Sequence, residues 1–294
     1  MGSAARLIQS NELQQQLDTP RLRLLDCRFS LQAPELGRSE WLAGHIPGAV
    51  YADLDKDLAA PVTRTTGRHP LPEPDVFAAT LGRLGIDNDS SVVVYDGGSG
   101  AIAARAWWML RWLGHDDVAL LDGGFAAWGA ASGPIESGEV VIKKAAFHGT
   151  PNPQRVLTTL ELTELLKQPG TLLLVDARDA ARFDGELEPI DSVAGHIPGA
   201  LNFPLNRSLH DTGLWLEPSV LRQRWQELLG PDLTVPWSVM CGSGVTACHL
   251  AFSGLRAGYS EPRLYAGSWS EWIRDPRRPV VRARTAHKQA GPGA

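Results

Sequence analysis

Short runs of consecutive apolar residues alternate along this chain with longer segments in which apolar residues recur every three to four positions. The short runs predict buried strands, and the longer segments predict amphipathic helices. We predict strands at residues 22–25, 92–95, 118–121, 172–175, 237–240 and 263–265. We predict helices at residues 10–17, 75–84, 101–113, 219–229 and 245–255, with Ser10 and Asp75 as N-caps of the first two.

This alternation of strands and helices predicts the fold class. Strands that alternate with helices form a parallel sheet covered by helices on both faces, so the chain is expected to be α/β. In such sheets ligands bind beyond the carboxyl ends of the strands. Residues that directly follow a predicted strand are therefore the first candidates for a functional site.

The chain also repeats itself once. Four segments recur in the same order about 150 residues apart, which indicates two copies of one whole domain rather than a solenoid. The matches are 24–28 with 174–178, 44–49 with 195–200, 92–97 with 238–242, and 123–128 with 267–272. The second of these, Gly-His-Ile-Pro-Gly-Ala, returns unchanged.

Cys241 is the strongest candidate for chemistry. It follows the predicted strand at 237–240 and precedes the predicted helix at 245–255. Unpaired N–H groups and the positive end of the helix dipole meet at such a position, and both stabilise a thiolate. The alternative is a buried structural cysteine, which is the common role of an isolated cysteine.

The residues after Cys241 favour the nucleophilic role. Gly242 and Gly244 have the backbone freedom to let successive N–H groups converge on the sulfur. Ser243 and Thr246 add two hydroxyls next to it. We therefore interpret this loop as a cradle for a reactive thiolate.

The repeat provides an internal comparison, because the first copy has Asp96 at the position of Cys241. A carboxylate cannot act as a thiolate nucleophile, so only the second copy is expected to be catalytic. We divide the chain into an inactive domain at 1–132, a Gly/Pro-rich linker at 133–153, a catalytic domain at 154–281 and a mobile tail at 282–294.

Repetition also separates structural side chains from candidate ligands. Arg178 is interpreted as a structural ion pair, because Arg28 repeats it in the inactive copy. His45 and His196 are interpreted as structural for the same reason. Arg182 has no counterpart, which leaves a structural ion pair and the binding of an anionic substrate as equal alternatives.

Composition excludes several functional classes. The net charge of −5 predicts no general affinity for nucleic acid. Three scattered cysteines predict a reducing compartment rather than a disulfide framework, and Cys248 is expected to lie in the core. The spacing of cysteine and histidine predicts no zinc site. With no apolar run of membrane-spanning length and no signal-peptide core, we expect a cytoplasmic protein without a membrane partner.

From about residue 8 to about residue 280, the chain resembles the rhodanese superfamily, specifically its two-domain sulfurtransferases. The paired Gly-His-Ile-Pro-Gly-Ala segments and the run from Cys241 to Ala247 carry the resemblance. It implies two tandem rhodanese-like domains, each a parallel sheet with helices on both faces. It also implies an inactive first domain and a catalytic cysteine in the second.

The loop itself is similar to that of 3-mercaptopyruvate sulfurtransferases, since it is uncharged. Thiosulfate-using rhodaneses more often carry cations in this loop, and thiosulfate is the alternative donor here. Mercaptopyruvate enzymes usually have two arginines before the second Gly-His-Ile-Pro-Gly segment. Arg182, in Arg182-Phe183, matches the first, whereas Ile190 stands at the second, so one carboxylate clamp is missing or is provided elsewhere.

The resemblance implies a reaction through a persulfide on Cys241, with a small-molecule sulfur donor. The acceptor would be cyanide, a thiol or thioredoxin, and no metal or organic cofactor is needed. Ser243 and Thr246 would assist catalysis, while the substrate would be bound by Arg182, Gly242, Gly244 and Val245. The rival hypothesis is a non-enzymatic persulfide carrier or redox sensor.

Overall fold

The computed structural model describes residues 5–168, 170 and 172–282. Its strands are β1 (Arg6–Ile8), β2 (Leu22–Asp26), β3 (Ala49–Tyr51), β4 (Ser91–Tyr95), β5 (Val118–Leu121), β6 (Leu174–Asp176), β7 (Leu201–Asn202), β8 (Ser238–Met240) and β9 (Arg263–Leu264). Its helices are α1 (Ser10–Gln14), α2 (Leu36–Ala43), α3 (Pro74–Arg83), α4 (Ala103–Trp112), α5 (Gly124–Ala130), α6 (Thr159–Leu165), α7 (Ala180–Asp184), α8 (Pro218–Leu229), α9 (Thr246–Ala257) and α10 (Ser268–Trp272).

The strands form two parallel sheets that repeat one topology. The first has the order β1-β5-β4-β2-β3 and the second the order β7-β6-β8-β9. The pairing of β2 with β4 in the first sheet is repeated by that of β6 with β8 in the second. The counterpart of β1 in the second domain is reduced to a bridge between Val156 and Leu264. The predicted α/β class and the duplication are confirmed.

Helices α4 and α9, which follow the equivalent strands β4 and β8, pack against each other where the domains meet. Trp107 of α4 meets Phe252 of α9 edge to face, with 5.0 Å between ring centroids. Every residue of α4 is buried, because the sheet lies on one side of the helix and the other domain on the other. This docking brings the carboxyl ends of both sheets toward one interdomain cleft.

Two predicted N-caps are wrong. Gln9 holds the N-cap position of α1 and Glu73 that of α3, and neither Ser10 nor Asp75 caps its helix. In α3 the reason is Pro74, whose fixed φ angle suits the first helical position and moves the start upstream. The apolar face expected for this helix is confirmed, since Phe77 and Leu81 are fully buried.

The segment predicted as a linker runs along the first domain. Glu136 exchanges main-chain hydrogen bonds with His45, and Ala145 donates to the carbonyl of Gly82. The predicted mobile tail lies outside the described residues except for Arg282, whose Nε donates to the carbonyl of Ala194 at 3.1 Å. Within the described part of the chain, no helix is long and apolar enough to cross a lipid bilayer.

Candidate active site

Cys241 lies between β8 and α9, as predicted, on the wall of a cavity of about 380 Å³ at the domain interface. Its Sγ accepts N–H groups from Gly244 at 3.1 Å and from Ser243 at 3.4 Å. The side chain is buried, and the Cys241 N–H donates to Ser268 Oγ at 3.1 Å. The loop therefore directs two dipoles at the sulfur, which is the arrangement expected for a stabilised thiolate.

The two loop glycines serve different purposes. Gly244 has a φ of +79°, and a Cβ there would lie 2.3 Å from the carbonyl oxygen of Ala266, so glycine is required. The expectation of special backbone freedom is wrong for Gly242, which does not adopt a positive φ. Its missing side chain instead leaves room for two guanidiniums: a Cβ there would lie 2.8 Å from Arg68 Nη2 and 3.6 Å from Arg182 Nη2.

Val245 and Thr246, the other predicted loop residues, line the same cavity. Val245 is the N-cap of α9 and Thr246 its first residue. The Thr246 side chain is half-buried, whereas Val245 is almost fully buried. Of the predicted loop residues, Gly244 is the exception: it does not line the cavity and reaches the site only through its N–H group, which donates to Cys241 Sγ. The chemical roles assigned to these residues remain predictions.

Ser243 makes a hydrogen bond across the domain interface. Its Oγ lies 2.8 Å from Nδ1 of His69, a residue of the first domain. On the other side of the ring, Nε2 lies 3.2 Å from Oδ1 of Asp55. With Asp55 ionised, Nε2 carries the proton and Nδ1 accepts the Ser243 hydroxyl.

Burial keeps the His69 imidazole neutral. Desolvation, reinforced by the nearby charges of Arg105 and Arg68, lowers the pKa of His69 to about 4. Burial also raises the pKa of Asp55, with a further contribution from Asp53. The Ser243 hydroxyl, the neutral His69 imidazole and the Asp55 carboxyl group therefore form one hydrogen-bonded series. Such a series can take up and return a proton.

Arg182 lines the cavity and is also held by two carboxylates. Its Nε and Nη2 donate to Glu188 Oε1 at 3.1 and 2.8 Å, and Nη2 also donates to Asp191 at 3.2 Å. Burial opposes the ionisation of Glu188, but hydrogen bonds from Arg182 and from the N–H groups of Asp191 and Ile190 offset it and lower its pKa. These bonds fix the orientation of the guanidinium and leave Nη1 without a hydrogen bond to any residue that the structure describes.

The residues interpreted as structural are confirmed in that role. Arg178 bonds Asp176 and the carbonyl of Gly195, and Arg28 makes the equivalent bonds in the first domain. Nδ1 of His45 lies 2.7 Å from a main-chain oxygen of α2, and Nδ1 of His196 lies 2.8 Å from a main-chain oxygen of α7. Each repeated side chain thus holds a turn in its own copy.

In the first copy, the carboxylate of Asp96 takes up the backbone N–H groups of its own loop. Its Oδ1 accepts the N–H groups of Gly98 and Gly100, both at 3.0 Å. Its Oδ2 accepts those of Ile102 at 2.9 Å and Ala103 at 3.2 Å. The carboxylate occupies the N–H cradle that holds sulfur in the second copy, so this loop offers no free anion site.

Sequence reasoning missed the contribution of the first domain to the site. Asp55, Arg68 and His69 lie in the loop at residues 52–73, which is longer than its counterpart at 203–217 in the second copy. That extra length was a signal in the sequence. Arg105 of α4 was also missed: it is fully buried and donates to the carbonyl of Gly244 at 3.2 Å.

Arg105 links the first domain to the Cys241 loop. Besides Gly244, its guanidinium donates to the carbonyls of Leu58 at 3.3 Å and His69 at 3.1 Å. One side chain thus ties helix α4, the loop at 52–73 and the Cys241 loop together. A buried guanidinium that bonds main-chain carbonyls in this way also places a positive charge beneath the site.

The structure contains two copies of one parallel α/β domain. The loop that surrounds the Cys241 thiol in the second copy surrounds the Asp96 carboxylate in the first. These features are typical of a class of duplicated domains in which one copy carries a reactive cysteine. The model of the rhodanese-like domain matches residues 9–131 and 158–275. The chain belongs to the rhodanese family, in its two-domain form.

Curated relatives and solved structures cover almost the whole chain. It is 50% identical over 281 residues to a Pseudomonas aeruginosa protein named as a probable 3-mercaptopyruvate sulfurtransferase, covering 95% of this chain and 99% of that one. It is 40% identical to a Mycobacterium tuberculosis protein provisionally named thiosulfate sulfurtransferase SseB, covering 88% and 90%. The crystal structure of SseA from Escherichia coli, named as a 3-mercaptopyruvate sulfotransferase, superposes with a TM-score of 0.79 at 33% identity, covering 90% of this chain and 98% of that one.

Proposed function

We propose that this enzyme moves a sulfane sulfur from 3-mercaptopyruvate, through a persulfide on Cys241, to a thiophilic acceptor. The observation that carries the proposal is the uncharged loop, which directs two N–H groups at Cys241 Sγ beside the guanidinium of Arg182. A neutral loop suits a donor with one carboxylate and an uncharged thiol carbon. The identity to the P. aeruginosa protein supports the same donor.

In the first half-reaction the Cys241 thiolate attacks the donor sulfur. A sulfur–sulfur bond forms, the carbon–sulfur bond breaks, and its electron pair leaves on carbon as the enolate of pyruvate. Arg182 binds the donor carboxylate through a charge-assisted hydrogen bond. The N–H groups of Ser243 and Gly244 stabilise the Cys241 thiolate until it attacks.

The half-reaction also moves one proton from the donor sulfur to carbon. Ser243 can take up that proton on oxygen while it passes its own proton to Nδ1 of His69. Asp55 then stabilises the imidazolium, and the reverse transfer protonates the enolate to give pyruvate. Thr246, on the same cavity wall, is a second hydroxyl available to the donor.

In the second half-reaction the acceptor attacks the outer sulfur of the persulfide. Cyanide, a small thiol or thioredoxin would serve, since each supplies the electron pair for the new bond to sulfur. The Cys241 thiolate leaves with the electron pair of the broken sulfur–sulfur bond. It returns to the same two N–H groups, so the cycle closes without a metal or an organic cofactor.

The test is steady-state turnover with cyanide as acceptor and either 3-mercaptopyruvate or thiosulfate as donor. We expect a higher kcat/KM for 3-mercaptopyruvate, and peptide mass analysis should find one added sulfur atom on Cys241 after donor treatment. A higher kcat/KM for thiosulfate would assign the enzyme to the activity named for the M. tuberculosis relative. If Cys241 forms a persulfide but neither donor is turned over, the rival hypothesis of a non-enzymatic sulfur carrier would be favoured instead.

A further inference from the structure

Charged side chains alternate along one wall of the cavity that contains Cys241. Each ion pair in the row shares a member with the next, in the order Arg68, Asp191, Arg182, Glu188, Arg178 and Asp176. The charges balance formally, but they do not face the same way. The three arginines line the cavity, whereas Asp191 and Glu188 lie behind them with 4% of their side chains exposed.

Arg68 has the most available guanidinium in this row. Its Nη1 donates to Asp191, and its main-chain N–H donates to Ser270 Oγ at 3.0 Å. Among the described residues, neither its buried Nε nor Nη2, on the same edge of the guanidinium, has a hydrogen-bond partner. In Arg182 that same edge is occupied by Glu188. The edge of Arg68 is therefore an unused fork of the kind that binds a carboxylate with two hydrogen bonds.

The unused fork lies at the reactive end of the cavity. A Cβ on Gly242 would come within 2.8 Å of Arg68 Nη2 and 3.8 Å of Arg182 Nη1. Both guanidiniums thus border the residue that follows Cys241. An anion bound beside Gly242 would contact both, and Asp191 holds them in that arrangement because it pairs with each.

We propose that Arg68, from the non-catalytic domain, is the second guanidinium that binds the carboxylate of the donor, opposite Arg182. The proposal rests on the proposed function and adds a specificity residue to it. Ile190, which lines the same cavity, leaves the catalytic domain with no arginine at that point. The donor site therefore spans both domains, and the catalytic domain alone would hold half of the clamp.

The competing role for Arg68 is structural, as the cation that neutralises the almost fully buried carboxylate of Asp191. Arg68→Ala, Arg68→Lys and the double variant Arg68→Ala/Asp191→Asn separate the two roles. If Arg68 binds the donor, Arg68→Ala lowers kcat/KM for 3-mercaptopyruvate about 10- to 100-fold, mainly through KM, and Arg68→Lys recovers part of it. The double variant then stays impaired. Recovery of wild-type kcat/KM in the double variant would overturn the proposal.

A second measurement does not depend on turnover. Iodoacetate and iodoacetamide alkylate a thiolate by the same chemistry, but only iodoacetate carries a carboxylate. We expect the ratio of the Cys241 alkylation rates, iodoacetate over iodoacetamide, to fall several-fold in Arg68→Ala. An unchanged ratio in Arg68→Ala would show that Arg68 does not bind carboxylates. If the wild type gives a high ratio but no turnover of 3-mercaptopyruvate, the proposed donor fails while the anion site stands.

A rescue and a matched control complete the test. Ile190→Arg in the Arg68→Ala background restores a guanidinium to the same cavity and should recover at least part of the lost kcat/KM. Arg274→Ala is the control, because Arg274 also bonds the loop at 52–73, through Thr66 at 3.1 Å, but does not line the Cys241 cavity. Its kcat/KM should stay within about twofold of wild type. An equal loss in Arg274→Ala would show that loosening this loop, not losing a ligand, explains the effect.

Discussion

His69 of the first domain lies with Nδ1 2.8 Å from the hydroxyl of Ser243, two residues beyond Cys241 in the second domain. This hydrogen bond joins the two copies at the point of reaction. Asp55, 3.2 Å from the other ring nitrogen, completes the series from the same loop as His69. The first copy, which has Asp96 at the position of Cys241, therefore places two of its side chains in the hydrogen-bond series that reaches the Cys241 loop.

Removing either member of this pair should slow the chemical step. We expect Ser243→Ala and His69→Asn each to lower kcat about 100-fold, because the proton released from the donor sulfur loses its relay. The double variant should lose little more than either single variant, because the two groups act as one unit. Stopped-flow measurement of pyruvate release checks this. Fully additive losses would mean that the two residues act separately.

Cys241→Ser should abolish sulfur transfer, to below about 1% of the wild-type rate, because an alcohol stays protonated at neutral pH. Cys27→Ser and Cys248→Ser should keep most activity. Burial raises the pKa of Cys248 to about 12 and that of Cys27 well above its usual value, so neither forms a thiolate at neutral pH. The measurement is cyanide-dependent turnover, with circular dichroism to check that each variant is folded. A Cys241→Ser variant that keeps more than a few percent of the wild-type rate would show that Cys241 is not the nucleophile.

Arg182→Ala should lower kcat/KM for 3-mercaptopyruvate by about one to two orders of magnitude, since a charge-assisted hydrogen bond of about 1.5–3 kcal/mol is lost. Arg182→Lys should recover only part of it, because an ammonium cannot hold Glu188 and a donor in the same geometry. The matched control is Arg207→Ala, an exposed ion-pairing arginine away from the cavity. Unchanged kinetics in Arg182→Ala would leave Arg182 as a structural residue.

Asp96→Ala should change stability far more than turnover. The carboxylate accepts four N–H groups at the start of α4, and their loss should lower the free energy of unfolding by about 3 kcal/mol. Urea unfolding of this variant beside Asp116→Ala, whose side chain is 72% exposed, measures the difference. A loss of kcat equal to that of Cys241→Ser, in a folded protein, would contradict a single active domain.

Acid should destabilise the protein through its buried histidines. Desolvation lowers the pKa of His249 to about 3 and, with nearby arginines, that of His69 to about 4. In the unfolded chain these imidazoles bind protons below about pH 6.5, whereas in the folded protein they stay neutral down to about pH 4. Their contribution to the free energy of unfolding is therefore fully present above about pH 6.5, and it is lost as the pH falls from there toward 4. Each should contribute a loss of about 1.4 kcal/mol between pH 7.5 and pH 5.5. In His249→Gln, the free energy of unfolding should therefore fall by about 1.4 kcal/mol less between pH 7.5 and pH 5.5 than in the wild type, as measured by urea unfolding at both pH values. The same pH dependence in variant and wild type would refute the prediction.

The sequence by itself determined the features that depend on neighbouring residues. The alternation of apolar runs and periodic segments predicts the two parallel sheets, and the strand–cysteine–glycine–helix order predicts the thiol cradle. The internal repeat places Asp96 at the position of Cys241 and indicates that the paired histidines are structural. These inferences hold because backbone geometry and hydrogen bonding over a few residues fix them locally.

Only the tertiary structure decided what the first domain does. Arg68 and His69 stand more than a hundred residues from Cys241 in the sequence, and no local pattern links them to it. They reach the site because α4 docks on α9 and because Arg105, bonded to the carbonyls of His69 and Gly244, fastens the loop at 52–73 to the catalytic one. Contacts of this kind depend on how two cores pack together, which side-chain periodicity within each copy does not specify.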